Sequence, residues 1–148
     1  MQYKIVNADS KHVEQILNIE KRCFSVPVTR EQLLSQMPDS NHVFIVAEEA
    51  SGDVLGYVGM MYVLDEGYIS NVAVSPDYRR MGIADGLLNE LERISKLLEL
   101  SFMTLEVREN NSPARELYKK HGFADVGRRK NYYTLPTEDA ILMTSYLK

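Results

Sequence analysis

Apolar and polar positions along the chain alternate between two periods, and the switches between them predict the elements. Tyr3–Val6 reads as a short strand, and Asp9 or Ser10 can cap the helix that follows. Val13, Ile16, Leu17 and Phe24 mark that helix's buried side. Thr29 and Gln32 have capping-box spacing for a second short helix through Leu33, Leu34 and Met37, which Pro38 stops. His42–Glu48 and Val54–Leu64 predict two strands joined around Ser51-Gly52-Asp53, and Asp65-Glu66-Gly67 turns the chain into a third, Tyr68–Val74. After the turn Ser75-Pro76-Asp77 the period lengthens again: Ile83, Leu87, Leu88, Leu91, Ile94 and Leu98 form one apolar stripe of a long helix.

The second half repeats the alternation. Ser101–Arg108 puts Met103, Leu105 and Val107 on one face and Phe102, Thr104 and Glu106 on the other. Ser112 is a candidate cap for a helix with Pro113 in its first turn, where Ala114, Leu117, Tyr118 and His121 share a face and Gly122 ends the run. Phe123–Asn131 and Asp139–Tyr146 then predict an antiparallel pair around a loop containing Pro136. Strand, two helices, three strands, helix, strand, helix, two strands is an α/β (α+β) order, a mixed sheet of about seven strands flanked by about four helices. Ser101–Arg108 follows a long helix, so it should return parallel to Tyr68–Val74 by a right-handed crossover.

Composition narrows the function classes. A chain of 148 residues with 45% hydrophobic content suits a single domain over 1–148 with a proper core. Its net charge of -4 gives no overall attraction to nucleic acid or to an anionic membrane. The lone cysteine, Cys23, excludes an intrachain disulfide framework, and His12, His42 and His121 are scattered without zinc or triad spacing, so no metal is expected. The opening MQYKIVNADSKH lacks an apolar signal core and no run approaches a membrane span, which predicts a soluble, cytoplasmic protein.

Three places could carry chemistry. Arg79-Arg80-Met81-Gly82-Ile83-Ala84 stands where a strand feeds a helix; the first helical turn leaves backbone N–H groups unpaired, and the macrodipole adds about half a positive charge. Such a turn is either ordinary, with solvated arginines, or an anion site that Gly82 lets a phosphate approach. Glu106 interrupts an apolar strand, where a carboxylate is costly without a partner. It is a general base whose pKa burial raises, or a solvent-facing glutamate paired with Arg108. Tyr118, on the buried side of its helix, is by itself a core phenol. The apolar loop Cys23–Val28 either packs on the core or touches substrate. Arg128–Tyr133 mixes cations with aromatics, as an RNA-contacting strand or a solvated strand edge would.

Three segments together decide between these alternatives. NVAVSPDYRRMGIADGLL, LEVRENNSPARELYKKHGF, and GRRKNYY followed by EDAILM resemble the GNAT N-acetyltransferases, in particular the branch that acetylates the N-terminal alanine of ribosomal proteins. The first carries the pattern Arg-x-x-Gly-x-Ala of that family's acyl-CoA pyrophosphate loop. The resemblance implies splayed central parallel strands with acetyl-CoA in the gap, held by Val72, Ala73 and Val74, by Arg79, Arg80, Met81, Gly82, Ile83, Ala84 and Asp85, and beyond the phosphates by Asn111. It implies Glu106 as base and Tyr118 as proton donor to the departing thiolate. Direct transfer to a protein N-terminus is the implied reaction, with neither membrane nor nucleic acid as partner; a small amine, a lysine side chain or a non-catalytic acetyl-CoA sensor are the alternatives. One departure bears on peptide preference: Pro27-Val28 stands where such enzymes commonly have Pro-Trp.

Overall fold

A computed structural model describes residues 2–148. Seven strands form one sheet in the order β1-β2-β3-β4-β5-β7-β6. They are β1 (Lys4–Asn7), β2 (His42–Glu48), β3 (Val54–Val63), β4 (Glu66–Val74), β5 (Phe102–Arg108), β6 (Ala124–Tyr133) and β7 (Glu138–Tyr146). Four α-helices accompany them: α1 (Val13–Cys23), α2 (Arg30–Gln36), α3 (Ile83–Leu97) and α4 (Ser112–Lys120). The order of elements is the expected one, and β4 and β5 are parallel while the other neighbours run antiparallel.

Strand alternation divides the core between the two faces of the sheet. Ile45 and Ala47 of β2 join Met60, Ile69, Met103 and Leu105 beneath Ile83, Leu87, Leu88 and Leu91 of α3. Their neighbours Phe44 and Val46 turn the other way, toward Val13, Ile16, Leu17 and Ile19 of α1 and Leu33 of α2. The stripes predicted for the helices hold in their centres and fail at their ends. Phe24 and Leu98 are exposed just past the last residues of α1 and α3, and Leu34 is exposed because α2 buries its neighbour Leu33 instead.

Caps explain where the helices start. Asp9 caps a short 3₁₀ turn that leads into α1, its carboxylate accepting from Lys11 N–H. Thr29 and Gln32 form the expected reciprocal box at α2. At α4 the cap is Asn111 instead of Ser112: its side-chain oxygen accepts from Ala114 N–H at 3.3 Å, and Ser112 becomes the first helical residue.

The parallel pair is the feature that makes a site. β4 and β5 pair only through Glu66↔Phe102, Gly67↔Met103 and Tyr68↔Thr104, after which they diverge. On its other edge, β4 pairs Ile69 with Met60 but Asn71 with Gly59, so Ser70 is an extra residue in the ladder. A bulge bends its strand and increases local twist. Here it falls where contact with β5 is lost, and Ser70 fixes it by donating its hydroxyl to the Gly59 carbonyl at 3.1 Å.

Candidate active site

The gap opened by that divergence is a cavity of about 640 Å³. Its walls are Ile69–Val72 of β4 and Leu105–Arg108 of β5, with Tyr118 and Asn111 from α4 and its cap. Residues 23–26 after α1 and residues 132–134 at the end of β6 line its other side. The apolar loop after α1 is therefore a wall of the cavity, with Phe24 exposed there and not buried on the core.

Glu106 and Tyr118 both line this space. Glu106 is half-buried, and its partner is Arg129 of β6, with Oε1 3.3 Å from Nε, not Arg108. Arg108 is engaged elsewhere. Its guanidinium donates to Glu138, to the Thr134 and Pro136 carbonyls and to Ser25 Oγ, and it covers the Tyr133 ring at 4.5 Å. Tyr118 is buried against Phe123, but its hydroxyl makes no hydrogen bond among the described residues although it lines the cavity. Burial, helped by nearby Tyr133, pushes its phenol above the ordinary range, so it stays protonated and can only donate weakly.

The turn Arg79–Asp85 lies outside this cavity, beyond the C-terminal end of β4. Gly82 adopts φ +77° and precedes α3 with no side chain capping the helix, which leaves its first N–H groups open to an anion. Arg79, Arg80 and Met81 are exposed there, whereas Ile83 is buried and can offer only backbone. Two braces hold the turn. From α1, both Arg22 Nη atoms donate to Asp77 at 3.1 Å. From α4, His121 Nε2 and Lys120 Nζ approach Asp85 at 2.8 and 3.1 Å, and they hold its carboxyl below the usual range.

Of the strand residues expected to meet an acyl-CoA, Val72 lines the cavity while Ala73 is buried toward α1. The Val74 carbonyl accepts from Cys23 Sγ at 3.4 Å. Past Tyr68 the β4 edge has no partner on β5, so its backbone is free to bond a ligand. The uncapped α3 start, the exposed arginines and this open edge fit an extended acyl-CoA whose phosphates and amide-bearing arm need different partners. Among the described residues no three His, Cys, Asp or Glu are gathered as a metal would require, and no helix is long and apolar enough to cross a membrane.

The model of the acetyltransferase (GNAT) family matches residues 13–123. The chain belongs to the GNAT acetyltransferases. It is accordingly an acetyl-CoA-dependent N-acetyltransferase. The [ribosomal protein bS18]-alanine N-acetyltransferase of Haemophilus influenzae is 36% identical over 90% of this chain and 92% of its own length. An N-alpha-acetyltransferase of Sulfurisphaera tokodaii is 31% identical over 99% of this chain and 94% of its own. Among solved structures, the ribosomal-protein-S18-alanine N-acetyltransferase from Escherichia coli superposes with a TM-score of 0.91 at 28% identity, covering 99% of this chain and 95% of that one. The GNAT fold expected from the sequence, including its splayed parallel strands, is the observed one.

Sequence reasoning missed Glu20, which is fully buried on α1. Its Oε1 accepts from Val28 N–H at 2.8 Å, and its Oε2 accepts from Tyr57 O–H at 2.6 Å and Asn71 Nδ2–H at 2.8 Å. The signal was present in the pattern. Glu20 follows Ile16 by four and Leu17 by three, so it occupies a core position of the stripe. The cations of Arg128–Tyr133 are largely committed within the chain: Arg128 pairs with Glu109 and Asp139, and Arg129 with Glu106.

Proposed function

We propose that this GNAT enzyme acetylates the α-amino group of a protein N-terminus in the cytoplasm, with the N-terminal alanine of a ribosomal protein as its foremost substrate. The observation that carries the reading is that a carboxylate and an unbonded phenol, Glu106 and Tyr118, line one cavity at the point where β4 and β5 part. Bound acetyl-CoA supplies the thioester acyl group, and Val72–Val74, Arg79–Asp85 and Asn111 are the residues that would hold it. The cap at α4 occupies the Asn111 oxygen, so Asn111 has its amide N–H groups to offer.

Glu106 accepts the proton of the incoming ammonium, directly or through one water, so that a neutral amine attacks. As the carbon–nitrogen bond forms and the carbon–sulfur bond breaks, the Tyr118 hydroxyl donates a hydrogen bond to the departing sulfur, and the second proton of the acylated nitrogen passes to that thiolate, so that CoA leaves as the thiol. Full proton transfer is not required of it. A phenol of pKa about 10 is already a weaker acid than a thiol of about 8.5, and burial weakens it further. An α-amino group, with pKa about 8 against about 10.4 for lysine, costs roughly 3 kcal/mol less to deprotonate at neutral pH. That difference favours a chain end over a side chain, and the names of the relatives from Haemophilus influenzae and Sulfurisphaera tokodaii support the same acceptor.

The test is mass spectrometry on free-N-terminal peptides, including one beginning with alanine, N-blocked lysine peptides and polyamines, each incubated with acetyl-CoA. Acetylation of the free N-termini at least tenfold ahead of the other two classes is expected. Preference for lysine or polyamine would overturn the acceptor, and no product from any class would favour a sensor.

A further inference from the structure

We propose that Glu20 is a positioning residue for the transfer reaction: it sets the distance between the acceptor-side loop and the bent segment of β4. The inference rests on the acetyl-transfer reading above. Glu20 does not line the cavity, yet of the groups it binds Asn71 belongs to the β4 wall and Val28 closes the loop that supplies the other side. Val28 N–H ends the loop whose residues 23–26 line the cavity on the side we give to the acceptor, and Asn71 is the first β4 residue to pair with β3 beyond the Ser70 bulge. Tyr57, the third partner, is buried in the middle of β3 and anchors the carboxylate to the sheet.

Burying a carboxylate on the face of α1 that also buries Val13, Ile16 and Leu17 is costly, and a well-packed apolar side chain would hold α1 to the sheet without that penalty. What an apolar side chain cannot do is bond a loop amide and a strand side chain at once. Beyond the last β4–β5 rung, β4 keeps β3 on its edge, and on the α1 side Glu20 bonds Asn71 at the start of this segment while Cys23 bonds the Val74 carbonyl at its end. The loop after α1 is held by Glu20 at Val28 and by Arg108 at Ser25. One side chain thus references the loop end and the β4 wall to the centre of the sheet. Approach geometry is the quantity such a residue controls, and a misplacement of about 1 Å can cost on the order of a hundredfold in rate.

The chemistry of the three partners supplies a discriminating pair of variants. In Glu20→Gln the amide oxygen still accepts from Val28 N–H, while its NH₂ can donate to the Tyr57 oxygen and to a flipped Asn71 amide, so the ties survive. In Glu20→Leu combined with Tyr57→Phe the packing survives and the ties do not. The double variant should stay folded and bind acetyl-CoA within about threefold of wild type by calorimetry, with kcat/KM for the acceptor down about 10- to 100-fold. Amide exchange at Val28 and at Asn71–Val74 should accelerate together while β1 and β2 keep their protection, and Glu20→Gln should restore both kinetics and exchange. Wild-type kinetics and exchange in the double variant would overturn the proposal. So would a Glu20→Gln protein that is folded but as inactive as the double variant, since that would assign the effect to charge and not to position. If wild-type enzyme acetylates none of the peptides, the acceptor reading has failed. The exchange experiment still decides whether Glu20 couples the loop end to the β4 wall.

Discussion

Glu106 Oε1 stands 3.3 Å from Arg129 Nε, joining β5 to β6 at the cavity where β5 has left β4 behind. The same guanidinium lies 5.9 Å from the centre of the Tyr132 ring, so the arginine bridges a carboxylate and an aromatic lining residue. Both partners remain partly exposed, and pairs of that kind are worth about 0–1 kcal/mol. The pair therefore contributes orientation of the carboxylate more than stability.

Glu106→Gln should accordingly lower kcat by about 10²- to 10⁴-fold at neutral pH with little change in Tm, because the amide keeps the size of the carboxylate and loses the proton acceptor. Arg129→Gln should lower it only severalfold, with stability within about 1 kcal/mol of wild type. The Glu106→Gln deficit should shrink as pH rises toward the α-amino pKa of about 8, where free amine is abundant without help. Stopped-flow turnover and thermal melts on both variants check this; equal turnover in wild type and Glu106→Gln across pH 6 to 9, with chemistry rate-limiting, would remove Glu106 as the base.

Tyr118→Phe separates the phenol from the ring. The ring packs on Phe123, and the hydroxyl bonds nothing in the protein among the described residues, so its removal leaves no buried partner unsatisfied. Stability should hold within about 0.5 kcal/mol, and acetyl-CoA affinity should be nearly unchanged while kcat falls at least tenfold. A variant with full turnover in the chemical step would return Tyr118 to the core.

Periodicity made the elements legible, since each strand and helix carries its own repeat and the caps at Asp9 and Thr29 are local chemistry. The geometry of the turn before α3 was legible for the same reason: Gly82 and the helix it opens are neighbours in sequence. Partners distant along the chain were not. Glu106 could be paired on paper only with nearby Arg108, whereas the β5-β7-β6 order brings Arg129 to it. Ser112 before Pro113 read as the cap, yet Asn111 takes that place because its side chain reaches the Ala114 amide. The bulge at Ser70 depends on register with β3, which no pattern within β4 encodes.

Alkaline stability should reflect the half-buried Tyr133, whose phenol burial pushes up to about 12, with Glu106 nearby adding to the shift. An unfolded tyrosine ionises near pH 10, so the native state holds a proton there that the unfolded state releases. This contribution to stability is complete below about pH 10 and is lost as pH rises through about 12. Melting temperature measured from pH 9 to 12 should fall less steeply in Tyr133→Phe, which keeps the ring beneath Arg108. Parallel slopes in the two proteins would mean that Tyr133 titrates as an exposed phenol.

On the acid side the group to test is Asp85, because it ties the start of α3 to the end of α4. Its carboxyl is held below the ordinary range chiefly by the hydrogen bond from His121, with Lys120 adding to it. For a depressed carboxyl the sign is opposite to that of Tyr133. Its contribution is complete above the unfolded pKa of about 3.9 and disappears as pH falls through the lower folded value. Asp85→Asn removes the charge without changing size, so it should melt below wild type at pH 7, and the difference should narrow once pH drops under about 4. The brace also fixes α4, and with it Tyr118, against the turn proposed to receive the phosphates. Turnover of Asp85→Asn at pH 7 should therefore fall severalfold. A melting difference that stays constant from pH 7 to pH 2 would show that His121 and Lys120 do not hold Asp85 ionised.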